Sequence, residues 1–232
     1  NDASKSIASI AAKYVLKGQE REPLFPEPRV ITSGRMATRF WKEHHRGAKI
    51  AYLGPEGCVP YIEEADCVPV DFTRVSDPHA FDLFALMDNG GYDWRRELNR
   101  VVNLVGARSE VPLFAPNPDL VYPVPGGGVN IASGAMAHLL GTLLGREFHF
   151  FGKPHRSMFE YALATAGEEI SGLRPEECLM VGDTLETDIR GAGEVGIDTL
   201  LVLTGNATEG DYLERTRKTG IIPRFISPGV VD

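Results

Sequence analysis

Two aspartates stand close together in the stretch "ECLMVGDTLETDIRGAGEVGIDTLLVLTG", residues 177–205. Asp183 follows the apolar run "CLMVG", which reads as a buried strand, and burying a carboxylate is costly unless something positive meets it. Asp188 falls in the first turn of the next helical segment, so both acids can face one point above a sheet. Two converging carboxylates suit a hard cation, and magnesium takes a few carboxylates plus water and ligand oxygens. The same spacing also serves a plain structural purpose, with Asp183 capping the helix near Leu185 and Asp188 favouring its positive N-terminus. Lys153, in "FGKPH" one crossover earlier, brings a fixed positive charge toward the same rim, although a lone lysine is usually a solvated surface residue. Together the three read as a phosphate site. A phosphate monoester dianion repels nucleophiles, so its hydrolysis needs a cation and positive side chains to neutralise the moving charge. Magnesium on Asp183 and the ammonium of Lys153 would supply both.

Positioning such groups requires a framework, and helical and strand periods alternate through most of the chain, which predicts an α/β fold with a largely parallel sheet. Ile7, Ile10, Ala11 and Tyr14 predict a first helix that stops by Gly18. "RVITSG" reads as a short strand ending at Ser33, a candidate N-cap for a helix carrying Met36, Ala37, Phe40 and Trp41. "KIAYLG" and "FDLFALMD" read as strands, and Trp94, Leu98, Val101 and Val105 mark an amphipathic helix. "VPLFAPNPD" is a strand running into a turn, "YPVPGGG" a loop, and residues 131–144 a helix. "EFHFFG", "CLMVG" and "TLLVLTG" then predict three strands of one sheet joined by two right-handed helical crossovers. Ligands of such sheets sit at the carboxyl ends of the strands, where Lys153 and Asp183 both fall.

Composition narrows the function classes. With 232 residues, 43% of them hydrophobic, the chain can bury a substantial core. Its net charge of -8 and lack of any Lys/Arg block argue against a nucleic-acid or anionic-membrane surface. Cys58, Cys67 and Cys178 are too few for a disulfide framework or a zinc site, and no run is apolar and long enough for a membrane-spanning helix, so the expected location is the cytoplasm. The six histidines show neither metal spacing nor a Ser-His-Asp order, and "PGGGVNIASG" lacks the Lys-Ser/Thr of a phosphate-binding P-loop. His155 lies near Lys153, with a helix-cap role as its simplest reading.

"FGKPHRSMFEYAL" followed by "CLMVGDTLETDIRGAGEVGIDTLLVLTG" resembles the third and fourth motifs of the haloacid dehalogenase superfamily, most nearly its class IIA phosphatases. The likeness extends upstream: "NDASKS" is similar to the turn after the second motif, "PRVITSGRMATRFW" and "KIAYLGPEG" to the segment leading into the cap, and "APNPDLVYP" with "PGGG" to the cap loop. The resemblance implies a doubly wound, Rossmann-like core with an inserted α/β cap of the C2 type, the core comprising residues 1–47 and 146–232 and the cap 48–145. It implies Lys153 as the phosphate-neutralising lysine, Asp183 and Asp188 as magnesium ligands, Asn1 on the substrate, and Asn117 and Asp119 on a cap loop facing it. The implied activity is magnesium-dependent hydrolysis of a small phosphorylated metabolite, such as a sugar phosphate or a nucleotide, through an aspartyl-phosphate intermediate. Caps of this family often support homodimers.

One departure is chemical. The family's nucleophile and its general acid come from a strand ending in Asp-x-Asp, and no Asp-x-Asp occurs in these residues. The expectation is that the encoded protein continues upstream, with Ser or Thr directly before Asn1 and the Asp-x-Asp strand some tens of residues earlier. The alternative is a pseudoenzyme that binds a phosphorylated ligand or a protein partner through the same rim. "FALMDNGGYDW" also departs from the family's usual glycine-aspartate pattern at that cap strand.

Overall fold

In the computed structural model, which describes residues 2–14, 24–124, 126 and 128–230, the chain divides into two compact units, Asn1–Gly152 and Lys153–Asp232. The first is built on a five-stranded sheet of β1 (Lys49–Leu53), β2 (Val68–Asp71), β3 (Leu83–Leu86), β4 (Leu113–Ala115) and β7 (His149–Phe150). All pairs are parallel, in the spatial order β2-β1-β3-β4-β7, with Ile50 opposite Leu83 and Phe114 opposite His149. A parallel sheet covered on both faces needs apolar residues at successive positions, and the fully buried "LFAL" of β3 and "LFA" of β4 meet that need.

Strand alternation shows which helices cover which face. Ala51, Leu53, Phe84, Leu86, Leu113 and Ala115 form one core with residues of α4 (Trp94–Leu104) and α5 (Ser133–Leu144), notably Val101, Met136 and Leu140. Phe114, pointing the other way, meets Trp41 of α2 (Ser33–His44) edge-on at 5.8 Å. Asp93 starts α4 by accepting the Arg96 N–H at 2.7 Å, and Gly145 ends α5 in the left-handed region at φ 64°. Shorter helices α1 (Ile7–Ala11) and α3 (Val59–Glu63) complete this unit, with a hairpin of β5 (Val121–Val124) and β6 (Gly128–Ile131).

The second unit carries a parallel sheet of β8 (Leu179–Gly182), β9 (Asp198–Val202) and β10 (Phe225–Ser227), in the order β10-β9-β8. Around it lie α6 (Arg156–Glu169), a π-helical turn at Leu185–Ile189 that runs into α7 (Arg190–Gly193), and α8 (Tyr212–Thr219). Phe159, Ala192 and Ile197 form one small core with Met180, and Leu185, Ile189, Leu201 and Ala207 another.

Several expectations change. "EFHFFG" does not join the strands after it: residues 149–150 pair with β4 in the first sheet, so of the two predicted crossovers only β8 to β9 links paired strands, and the second parallel crossover of that sheet runs from β9 through α8 to β10. "RVITSG" forms no paired strand among the described residues, and Thr32, not Ser33, caps α2 by accepting the Arg35 N–H at 3.1 Å. "YPVPGGG" contributes to the β5–β6 hairpin instead of a plain loop, because Tyr122 and Val124 find partners in Asn130 and Gly128. The first helix ends at Ala11, and Tyr14 is exposed. Within the first unit Trp41 packs on Phe114 and Phe151, and Gly34 donates to Asp2 O at 3.1 Å. Among the described residues no helix is long and apolar enough to cross a membrane.

Candidate functional site

Asp183 leaves the carboxyl end of β8 directly after Gly182, and five residues later the π-helical turn carries Asp188 back under it. Asp188 is 3% exposed. Its carboxylate survives burial because donors surround it: Oδ2 accepts the N–H groups of Asp183 at 3.1 Å and Thr184 at 3.2 Å, and the Lys153 ammonium lies 2.6 Å from Oδ1. Gly182 makes the fold-back feasible, since a Cβ there would overlap the Asp188 side chain. A turn with one more residue than an α-turn suits the same purpose, setting the Asp188 side chain beneath the strand end.

Asp183 is half-buried and differently held. Its Oδ2 accepts the Asn206 N–H at 2.8 Å, its Oδ1 the Thr184 hydroxyl at 3.3 Å, and its carbonyl the Ala207 N–H at 2.8 Å. Asn206 follows the carboxyl end of β9, so the rims of adjacent parallel strands meet at this carboxylate. Asn206 Nδ2 also donates to the Thr184 hydroxyl at 2.8 Å, and Arg215 of α8 secures the loop by donating to Asn206 O at 2.6 Å while pairing with Glu186 at 2.5 Å. Thr184, Gly205, Asn206 and Arg215 are thus parts of the site that sequence reasoning missed. Their signal was "LTGNAT" at the end of a parallel strand neighbouring β8.

Three of the six expected residues, Lys153, Asp183 and Asp188, therefore come together within the second unit. Asn117 and Asp119 belong to the first. There Asn117 Oδ1 accepts the Asp119 N–H at 2.8 Å, and the turn is seated on the start of α5, where Gly134 donates to Asp119 O at 3.1 Å and a Cβ on Gly134 would overlap Pro118 O. Asn1 lies outside the described residues. His155 occupies the N-cap position of α6 but makes no side-chain capping bond.

The donor set is one of hard oxygens. A carboxylate offers about four lone-pair positions, so Asp183 retains acceptor capacity, whereas Asp188 is largely committed to Lys153 and the two amides. Among the described residues no group of three or more His, Cys, Asp or Glu side chains converges for a metal. A cation here would rest on Asp183, with Asp188 behind it and water or ligand oxygens completing its shell.

Comparison with known proteins identifies what the chain is similar to. A HAD-hydrolase-like family model matches residues 150–227. The chain is 27% identical to a dihydroxyacetone phosphatase of Corynebacterium glutamicum over 80% of this chain and 62% of that protein, and it spans about three fifths of the length of the first curated relatives it matches. A crystal structure from Cytophaga hutchinsonii, described as a possible sugar phosphatase of the HAD superfamily, superposes with a TM-score of 0.85 at 32% identity, covering 100% of this chain and 80% of that one. A glycerol phosphate phosphatase of Mycobacterium tuberculosis, solved with magnesium, gives a TM-score of 0.74 at 25% identity, covering 97% of this chain and 63% of that one.

Proposed function

The chain belongs to the haloacid dehalogenase superfamily, and from that premise we propose that its protein hydrolyses phosphate monoesters of small metabolites, sugar phosphates first among them, with the help of magnesium. The single observation that carries this reading is the Lys153–Asp188–Asp183 arrangement. A positive side chain is locked by a buried carboxylate beside a second carboxylate with acceptor capacity to spare, at the end of a parallel strand. The names of the relatives favour a sugar phosphate as substrate.

In this scheme Lys153 orients and neutralises the phosphoryl oxygens, and Asp188 fixes the ammonium in place. Asp183 and Asp188 would hold magnesium, which when bound neutralises charge on the phosphoryl group. The attacking carboxylate would come from an Asp-x-Asp strand outside these residues: it would bond to phosphorus as the ester P–O bond breaks and the second Asp protonates the leaving oxygen, and water, giving a proton back to that Asp, would then hydrolyse the aspartyl phosphate to phosphate and the free carboxylate. Among the described residues no strand pairs with the outer edge of β8, so a further parallel strand could add there with its carboxyl end beside Asp183. Residues 48–145 would form the cap, with Asn117 and Asp119 on its substrate-facing turn and Asn1 as a substrate contact.

The test is hydrolysis of dihydroxyacetone phosphate and p-nitrophenyl phosphate by the full protein, with and without magnesium. Turnover that requires magnesium and disappears in Lys153→Met bears the reading out. Undiminished turnover in that variant, or after chelation, overturns it.

A further inference from the structure

The first unit carries a cavity of about 560 Å³ at the carboxyl ends of its strands. Its walls come from the turn after β1 (Gly54 to Glu56), the end of β2 and the turn after it (Asp71, Thr73, Arg74), and Gly91 beyond β3, with Tyr52 of β1. None of these residues belongs to the Lys153–Asp188–Asp183 group. In the order β2-β1-β3-β4-β7 the chain leaves β1 for β2 on one side and returns to β3 on the other. Strand order reverses at β1, and open parallel sheets take ligands in the crevice outside such a switch point.

The walls are fixed rather than loose. Arg100, paired at 2.5 Å with the buried Glu97, donates to the carbonyls of Phe72, Thr73 and Val75 and so clamps the turn after β2. Gly91, at φ +86°, lies so close to the β1 turn that a Cβ would come within 2.8 Å of Pro55 N.

The polar groups select the ligand. Asp71 accepts the N–H and hydroxyl of Thr73 at 2.9 and 2.7 Å and pairs with Arg74 at 3.2 Å, so that guanidinium is already neutralised. Among the described residues Glu56 has no ion-pair partner, and its charge leaves the cavity negative. The half-buried Tyr52 phenol is held above its ordinary pKa by burial first, then by Asp71 and Glu56, which places it in the same electrostatic neighbourhood. An anion would meet Glu56 with no spare cation. Hydroxyls that both give and accept match the phenol, the Thr73 hydroxyl, the guanidinium and the carboxylates together, and the volume falls within the range of small-molecule sites, about 300–1,000 Å³.

We propose that this switch-point cavity binds a neutral, polyhydroxylated ligand of monosaccharide size, in preference to its phosphate ester. A neutral sugar is also what hydrolysis of a sugar phosphate releases, so on the function proposed above the cavity would sense product; that link rests on that function, whereas the binding does not.

Saturation-transfer NMR with D-ribose and ribose 5-phosphate on the full protein tests it. The expected Kd for D-ribose is on the order of 1 mM. Glu56→Gln and Thr73→Ala should each weaken it severalfold without moving Tm, whereas Lys153→Met should leave it unchanged. Ribose binding that survives Lys153→Met and falls with Glu56→Gln supports the cavity whatever the fate of the phosphatase reading. No saturable binding of D-ribose, binding indifferent to Glu56→Gln, or tighter Glu56-dependent binding of ribose 5-phosphate than of ribose overturns it.

Discussion

Gly205 stands so close to Asp183 that a Cβ at position 205 would overlap Oδ2, the same oxygen that accepts the Asn206 N–H at 2.8 Å. The carboxylate is therefore boxed between two strand rims, and its direction depends on a missing methyl group. Gly205→Ala should force Asp183 to swing or the Asn206 loop to lift, at the usual overpacking cost of about 1–3 kcal/mol. Urea unfolding checks the cost, and the rise in Tm on adding magnesium should shrink in the same variant. Wild-type stability together with a wild-type magnesium response would refute the boxing.

The two aspartates should respond differently to the same near-isosteric change. Asp188 receives two amides and an ammonium in a buried place, so an amide NH2 at position 188 must face a donor. Asp188→Asn should cost about 1.5–3 kcal/mol, the range for hydrogen bonds to a charged group. Asp183→Asn should unfold near the wild-type midpoint yet lose magnesium-dependent hydrolysis in the full protein. Equal denaturation midpoints for the two variants would count against this division of labour.

Asp88, in the first unit, offers a pH test. Burial chiefly, with Asp2 nearby, holds its carboxyl above the ordinary carboxylate range, partly offset by the Gly90 N–H it accepts at 2.9 Å. A carboxyl whose pKa rises on folding adds stability below its unfolded pKa of about 3.9 and loses it as pH climbs through the folded value. Asn keeps the acceptor without the charge, so Asp88→Asn should raise Tm at pH 7, with the gain fading toward pH 3. A gain that persists undiminished at low pH, or none at pH 7, contradicts the reading.

Tyr61 makes the corresponding prediction in alkali. Its buried hydroxyl donates to Lys5 O at 2.7 Å and lies 3.3 Å from Thr32 Oγ1, and burial pushes its pKa up to about 12. Its neutral form stabilises the fold below the unfolded tyrosine pKa of about 10, and that contribution is lost as pH rises through the folded value. Tyr61→Phe should cost about 1 kcal/mol at pH 7, and its stability should then fall less steeply than that of wild type between roughly pH 10 and 12. Parallel stability curves for the two proteins over that interval would show that Tyr61 does not titrate there.

What the sequence determined by itself was local. Periods of 3.6 and 2 residues placed α4, α5, α6 and most strands within a few positions, because amphipathic patterning is set by neighbours along the chain. The Lys153, Asp183 and Asp188 group was legible for a related reason: Asp183 follows an apolar run that reads as a strand, Asp188 falls one helical turn later and Lys153 follows another apolar run, although that run pairs in the first sheet and not beside β8.

Tertiary structure decided which strand pairs with which. "EFHFFG" reads as a strand wherever it lies, and only the pairing of His149 with Phe114 assigns it to the first sheet, since register depends on a partner 35 residues away. It also decided what Asp188 is for. A helix-start aspartate is ordinarily a solvated capping group, but the π-turn and the side-chain-free Gly182 bury it against Lys153 and make it the ammonium's anchor. The roles of Gly205, Asn206 and Arg215 stayed hidden because nothing in a glycine or an asparagine announces contact with a carboxylate more than twenty residues earlier. Close approach of two rims creates that contact, and it exists only once the strands lie side by side.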